Sequence, residues 1–163
     1  MKIRNADIRD LDKITAIEAI CFPEAEAATK ESFAKRLSAY PNHFWLLEEN
    51  DEIISMINGM VTDAEFLKDE MYKIAELHSE GGAWQMIFGV ATIPEYRRRG
   101  CADRLMRFVI DEAKKQGRKG LVLTCKGKLI HYYERFGFEN EGVAESIHGG
   151  AVWYHMRLRF EKG

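Results

Sequence analysis

The stretch that most constrains this chain runs from Val90 to Ala102 and reads V-A-T-I-P-E-Y-R-R-R-G-C-A. An apolar run from Ile87 to Ile93 stops at Pro94, and a helical period begins at Gly100. The pattern predicts a strand that feeds a helix through a short turn rich in arginine. The first N–H groups of such a helix have no partners inside it, its dipole favours negative charge there, and glycine lets a ligand come close to the backbone. The turn therefore reads as a phosphate cradle. Neither G-x-x-x-x-G-K-[ST] nor G-x-G-x-x-G occurs, so it is neither a Walker loop nor a dinucleotide fingerprint.

Composition narrows the setting of this cradle. A chain of 163 residues with 46% hydrophobic content fits one domain, residues 1–163, with a substantial core. The formal net charge of −2, from 24 basic and 26 acidic residues, gives no global field for nucleic acid or an anionic membrane, so neither is expected as a partner. Arg97, Arg98 and Arg99 are then a local site. Cys21, Cys101 and Cys125 are odd in number, show no C-x-x-C spacing and follow an N-terminal stretch without a signal-peptide core, which predicts free thiols and a cytoplasmic location. No apolar run reaches the length of a membrane span. The histidines His43, His78, His131, His148 and His155 lack metal-ligand spacing, and no metal is expected.

In chain order, Lys2 to Ala6 reads as a strand, and Asp7 or Asp10 caps a helix with the stripe Leu11, Ile14, Ile17 and Cys21, stopped by Pro23. Thr29 caps a second helix that buries Phe33 and Leu37. Phe44 to Glu48 and Ile53 to Val61, separated by E-N-D-E, form a hairpin. Thr62 or Asp63 is expected to cap a helix with Phe66, Leu67, Met71, Ile74 and Leu77 on one face, and His78 to Gly82 is a loop expected to face the active site. Ala102, Leu105, Met106, Val109, Ile110 and Ala113 mark the helix after the cradle, with Gly117 at its end. Leu121 to Cys125 is a strand parallel to the one before the cradle, Phe138 to Val143 begins another, and Val152 to Phe160 alternates as the last.

Two segments carry a family resemblance. R-x-x-G-x-A, from Arg97 to Ala102, is similar to the Q/R-x-x-G-x-G/A pyrophosphate signature of the GNAT N-acetyltransferase superfamily. Lys126 to Phe138, K-G-K-L-I-H-Y-Y-E-R-F-G-F, resembles the closing segment of that superfamily, where a helix ends in Y-E-R-x-G-F. The longer run from Leu123 to Phe138 resembles the arylalkylamine (serotonin) N-acetyltransferase branch without a gap. The resemblance implies an α/β fold with a mixed, mostly antiparallel sheet of about six to seven strands and helices on both faces. It implies acetyl-CoA as cosubstrate, a small-molecule primary amine as acceptor, and direct transfer within a ternary complex.

The same resemblance distributes the roles. Backbone N–H groups from Arg98 to Asp103, through Gly100, Cys101 and Ala102, hold the pyrophosphate, and Arg97, Arg98 and Arg99 add charge. The pantetheine arm pairs with the strand Val90, Ala91 and Thr92. Tyr133 protonates the leaving thiolate, which suits a phenol whose pKa near 10 keeps it protonated at neutral pH.

The base departs from the branch pattern. Its two strand histidines correspond to Met86 and Phe88, which accept no proton. Glu26, with Glu24 in reserve, stands in the loop after the first helix, where some relatives place a glutamate base. His78 and His148 lie on loops and could shuttle a proton. Cys101 at a helix start could carry an acyl group, but has no recognised partner base. Phe22, Phe66, Trp84, Phe88 and Trp153 are expected to wall the acceptor pocket with an acidic rim of Glu24, Glu26, Asp63 and Glu65, and Gly149-Gly150 to edge it. A protein or peptide amine is the alternative acceptor, and a non-catalytic acyl-CoA-binding module the alternative class. The oligomeric state is open, with a homodimer one option.

Overall fold

A computed structural model describes residues 1–146 and 148–161 of the chain, and among these described residues nine strands form two sheets. β1 (Lys2–Asn5) pairs antiparallel with β2 (Phe44–Glu49), β2 with β3 (Glu52–Asn58), and β3 with β6 (Gly89–Thr92). The β2–β3 turn follows from E-N-D-E: Asn50 and Asp51 take φ of 52° and 63°, the left-handed pair that a tight hairpin turn needs and that Asn and Asp tolerate. The second sheet runs β4 (Val61–Thr62), β5 (Trp84–Ile87), β7 (Gly120–Cys125), β9 (Tyr154–Arg159) and β8 (Glu139–Val143). Only β5 and β7 are parallel within it.

Ile53 to Asn58 of β3 are all buried, which for a strand of period two means that both faces are covered. α1 (Leu11–Cys21) packs on β3 and β6 and carries α2 (Lys30–Ala39), which Thr29 caps by accepting from the Ser32 N–H at 3.1 Å. α4 (Cys101–Lys115) lies across β2, β3, β6 and β7 and buries Leu105, Met106, Val109 and Ala113. Each of the larger three contributes about 1.5–3 kcal/mol by leaving water. α4 is also the crossover between the parallel strands β5 and β7. The α/β architecture expected from the sequence is therefore present, with helices on both faces. The strand count is nine rather than six or seven, because Phe88 breaks the central strand into β5 and β6 and Val61–Thr62 forms a short bridge of its own. Gly59 permits that bridge: a Cβ there would lie 1.8 Å from the Met86 carbonyl oxygen.

Residues 62–77 correct the expectation of a long helix. Helical geometry is confined to α3 (Glu70–Lys73) and a single turn at Ala75–Leu77. Asp63 accepts from the Ala83 N–H at 3.0 Å and Thr62 from the Ala64 N–H at 3.1 Å, so neither caps α3. Of the expected apolar face, Leu67 and Met71 are buried with Ala75, while Phe66, Ile74 and Leu77 are exposed. α5 (Ile130–Glu134) closes the fold against β8 and β9.

Candidate active site

The site begins where the sheets part. Phe88 N–H turns to the Asn58 carbonyl at 2.7 Å; beyond it β6 stays with β3 while β5 has gone to β7. The two strands diverge and leave β6 with one free edge. Ile93 N–H bonds Ile54 O at 3.0 Å, which fixes the phase of the ladder: Ala91 turns to β3, and Val90 and Thr92 present N–H and C=O to the open edge. The Thr92 carbonyl there takes the Arg97 Nε at 3.0 Å and the Cys21 thiol at 3.4 Å.

The turn after β6 ends in a concave backbone. Arg98 and Gly100 both have positive φ, 62° and 77°, with Arg99 at negative φ between them, and such an alternation gathers N–H groups on one side. The first helical hydrogen bond of α4 is Arg104 N–H to Gly100 O at 3.0 Å, so the N–H groups of Cys101, Ala102 and Asp103 lie ahead of the ladder. A cleft of about 700 Å³ opens here, lined by Val90, Ala91, Thr92, Arg97, Arg98 and the residues from Gly100 to Asp103. Of the sequence-predicted cradle residues only Arg99 is not on this wall; its guanidinium lies 5.0 Å from the Tyr96 ring centroid. Asp103 uses its carboxylate to accept from Tyr132 Oη at 2.8 Å and from Arg135 at 2.6 Å, tying the start of α4 to α5. A strand edge with alternate free amides beside an open helix start fits the two polar parts of coenzyme A, its pantetheine amides and its pyrophosphate.

A second cavity, of about 320 Å³, lies on the other side of the split, between α1, α2 and the end of β7. Phe22, Val90, Leu129 and Tyr133 line both cavities, so the two meet at these residues. Tyr133 is 7% exposed, stacked edge-on to Tyr132 and Phe138, and burial pushes its phenol well above the ordinary value. It is therefore a proton donor at neutral pH.

Glu18 and Arg36 reach this cavity from α1 and α2, both buried. Glu18 Oε2 accepts from the Ala28 N–H at 2.9 Å; burial nonetheless pushes its carboxyl above the usual range. Glu26 also lines the cavity, but Lys126 Nζ holds its Oε2 at 2.8 Å, and its carbonyl oxygen accepts from His148 Nε2 at 2.9 Å. The His148 ring lies 5.3 Å from Tyr72 and nearly parallel to it, at 7°. Gly149 packs so near Glu26 that an added Cβ would lie 2.5 Å from its Cγ.

Of the aromatics expected to wall an acceptor pocket, Phe22, Phe88 and Trp153 line this second cavity, and Trp84 and Phe66 do not. Trp84 is buried in a separate core with Met86, and Phe66 lines a different cleft beside His155. Glu24, Asp63 and Glu65 are likewise off the cavity wall, which carries Arg36 and Lys73 as well as acids, so the expected acidic rim is replaced by mixed charge. Sequence reasoning missed Glu18, Arg36, Asn58, Tyr72 and Thr124, all on this wall.

The loop from His78 to Gly82 turns away from the cleft, contrary to expectation. Its Glu80 carboxylate meets His43 Nε2 and His78 Nε2 at 2.9 and 3.0 Å and Arg118 at 3.2 Å. His43, His78 and Glu80 thus come within ligand distance of one another although their sequence spacing gives no sign of it. Their hydrogen bonds already account for them. His78 Nδ1 accepts from the Val61 N–H at 3.0 Å, which puts the ring hydrogen on Nε2, towards Glu80. Ligation through Nε2 would force that hydrogen onto Nδ1, against an N–H. The cluster reads as a tie between the loop, β2 and Arg118.

The model of the acetyltransferase (GNAT) family matches residues 11–138, and the chain belongs to that family. Among solved structures it is similar to the GphF GNAT-like decarboxylase in complex with isobutyryl-CoA, at 18% identity and a TM-score of 0.83 over 98% of this chain and 99% of that one. It is similar also to the ribosomal-protein-S18-alanine N-acetyltransferase from Escherichia coli, at 19% identity and a TM-score of 0.74 over 99% and 95%. At such identities the likeness establishes the fold. The probable hydrolase YhcX of Bacillus subtilis is 24% identical over 142 residues, 82% of this chain, which spans only 27% of that protein's length. No helix among the described residues is long and apolar enough to cross a membrane.

Proposed function

We propose that this chain is an acetyl-CoA-dependent N-acetyltransferase whose acceptor is a small primary amine. The observation that carries the reading is the shared wall of Phe22, Val90, Leu129 and Tyr133: a thioester reaching along β6 would end where the second cavity begins. The amine nitrogen attacks the thioester carbonyl carbon there, the C–S bond breaks, and Tyr133 gives its proton to the departing sulfur. The Val90 N–H, on the free edge of β6, polarises the carbonyl oxygen as charge develops on it.

A primary amine arrives mostly as an ammonium and must lose a proton first. Glu18 is the base we favour, because its carboxyl is buried and shifted towards a useful range, whereas Glu26 spends an oxygen on Lys126. Glu26 remains the second candidate on the same wall. Two contacts support a small acceptor over a polypeptide: Glu26, on the cavity wall, is joined to Lys126 and to His148, which ties down the loop that carries it. The resemblance of Leu123 to Phe138 to the arylalkylamine branch supports the same choice. The cavity acids and Tyr133 argue for a catalyst rather than a binding module.

The test is turnover with acetyl-CoA and a panel of primary amines, following thiol release and the mass of the product. An acetylated amine formed only with the intact enzyme is expected. Tight acetyl-CoA binding with no product from any amine or peptide would point to the binding module instead.

A further inference from the structure

Arg36 is 3% exposed on the wall of the acceptor cavity. Its Nη1 donates to Asn58 Oδ1 at 2.9 Å and its Nη2 to the Tyr72 carbonyl at 2.9 Å, both neutral acceptors, and its buried Nε has no partner. The rings of Phe33 and Phe88, with centroids 5.3 and 5.0 Å from the guanidinium carbon, keep water from it. Burying a charge costs several kcal/mol unless an opposite charge accompanies it. Arg157, buried to a similar degree, has such a partner in Glu141 at 2.9 Å. Among the described residues no carboxylate forms an ion pair with Arg36 within 4 Å: the buried Glu18 acts on it only through space, with its Oε2 taken by the Ala28 N–H, and Glu26 is held by Lys126.

The cavity thus holds a desolvated guanidinium fork, oriented by two hydrogen bonds to neutral acceptors and without a direct ion-pair partner. A carboxylate is the planar anion that such a fork matches. We propose that Arg36 anchors a carboxylate carried by the acceptor, so that the preferred acceptors are amines that also bear a carboxylate, amino acids or close analogues. This inference rests on the N-acetyltransfer reading above. The two buried charges on the wall then meet the two charges of one zwitterion, Glu18 the ammonium and Arg36 the carboxylate. Phe22, Tyr72, Phe88 and Trp153 supply an aromatic surface for an apolar side chain, and a cavity of about 320 Å³ suits a ligand of that size. Lys73, the other cation on the wall, is exposed and already solvated.

The experiment compares acceptors that differ only in the carboxylate, phenylalanine against phenethylamine and leucine against isoamylamine, with acetyl-CoA saturating. Wild type should favour the carboxylated member by roughly a hundredfold in kcat/KM, chiefly through KM, as expected for a charge-assisted bidentate pair. Arg36→Met should bring that ratio close to one, and Arg36→Lys should keep part of it. Because Arg36→Met removes a buried group and could impair folding, the same preference is read on wild type alone by calorimetry with coenzyme A present. N-acetylphenylalanine should bind there more tightly than N-acetylphenethylamine. Equal or reversed preference in both readouts overturns the proposal. Absence of turnover with Arg36-dependent binding of N-acetylphenylalanine would sink the transfer reading and leave the carboxylate anchor standing. Malonyl-CoA binding tighter than acetyl-CoA, without any preference among acceptors, would move the carboxylate to the acyl chain and overturn its assignment to the acceptor.

Discussion

Lys126 Nζ lies 2.8 Å from Glu26 Oε2, joining the loop after α1 to the end of β7 across 100 residues of sequence. This pair decides between two candidate bases. Glu26 has one oxygen occupied by Lys126, while burial pushes the Glu18 carboxyl up towards a range useful for accepting a proton. Glu18→Gln should therefore lower the rate about a hundredfold at neutral pH and recover part of it as the pH rises and the free amine becomes abundant. Glu26→Gln should cost less and leave the shape of the pH–rate profile alone. The reverse pattern would restore Glu26 as the base.

Tyr133→Phe keeps a ring where Tyr132 and Phe138 pack edge-on and deletes one hydroxyl. Turnover should fall by roughly one to two orders of magnitude, with acetyl-CoA affinity almost unchanged, because the proton is needed only as charge develops on sulfur. Steady-state kinetics alongside calorimetry check this. An unaltered kcat would mean that water protonates the thiolate.

The cluster around Glu80 predicts a pH dependence of stability. Partial burial pushes the Glu80 carboxyl up, but hydrogen bonds from His43 and His78 outweigh this and bring it down to about 2 from an ordinary 4.5. Between those values the unfolded chain binds the proton and the folded chain does not, so the contribution is present above about 4.5 and lost as the pH falls through about 2. Water screens the exposed carboxylate, which keeps the effect modest. Glu80→Gln should lower the melting temperature at neutral pH, and the gap from wild type should narrow towards pH 3. A gap that is the same at every pH would exclude the ionic role.

Much of the frame was legible because it rests on local rules. The stretch from Val90 to Ala102 predicted strand, turn and helix; the stripe of Leu105, Met106 and Val109 predicted α4; E-N-D-E predicted the hairpin turn. The segment 62–77 misled because its apolar spacing is helical while the demand on it is to return the chain from β4 to β5, with Asp63 spent on Ala83. The second cavity was legible only in part, since its wall comes from α1, α2, α3, α5, β3, β6, β7 and the loops beside them, which no single motif spans. One signal was available: Arg36 falls between Phe33 and Leu37 on the buried stripe of α2, and Glu18 beside Ile14 and Ile17 on that of α1. A charge on an apolar stripe is either paired or functional.

The central claim is that the nest between Arg97 and Asp103 holds the pyrophosphate of acetyl-CoA, and titration calorimetry tests it most directly. Gly100 and Gly117 both have φ of 77°, at the two ends of α4, so valine strains the backbone equally at each. Only Gly100 lies on the cleft wall. Wild type and Gly117→Val should bind acetyl-CoA with similar affinity, and Gly100→Val at least about tenfold more weakly, the size of effect expected when valine drives the left-handed residue out of the nest. Equal affinity in all three proteins, or no binding by wild type, would contradict the account.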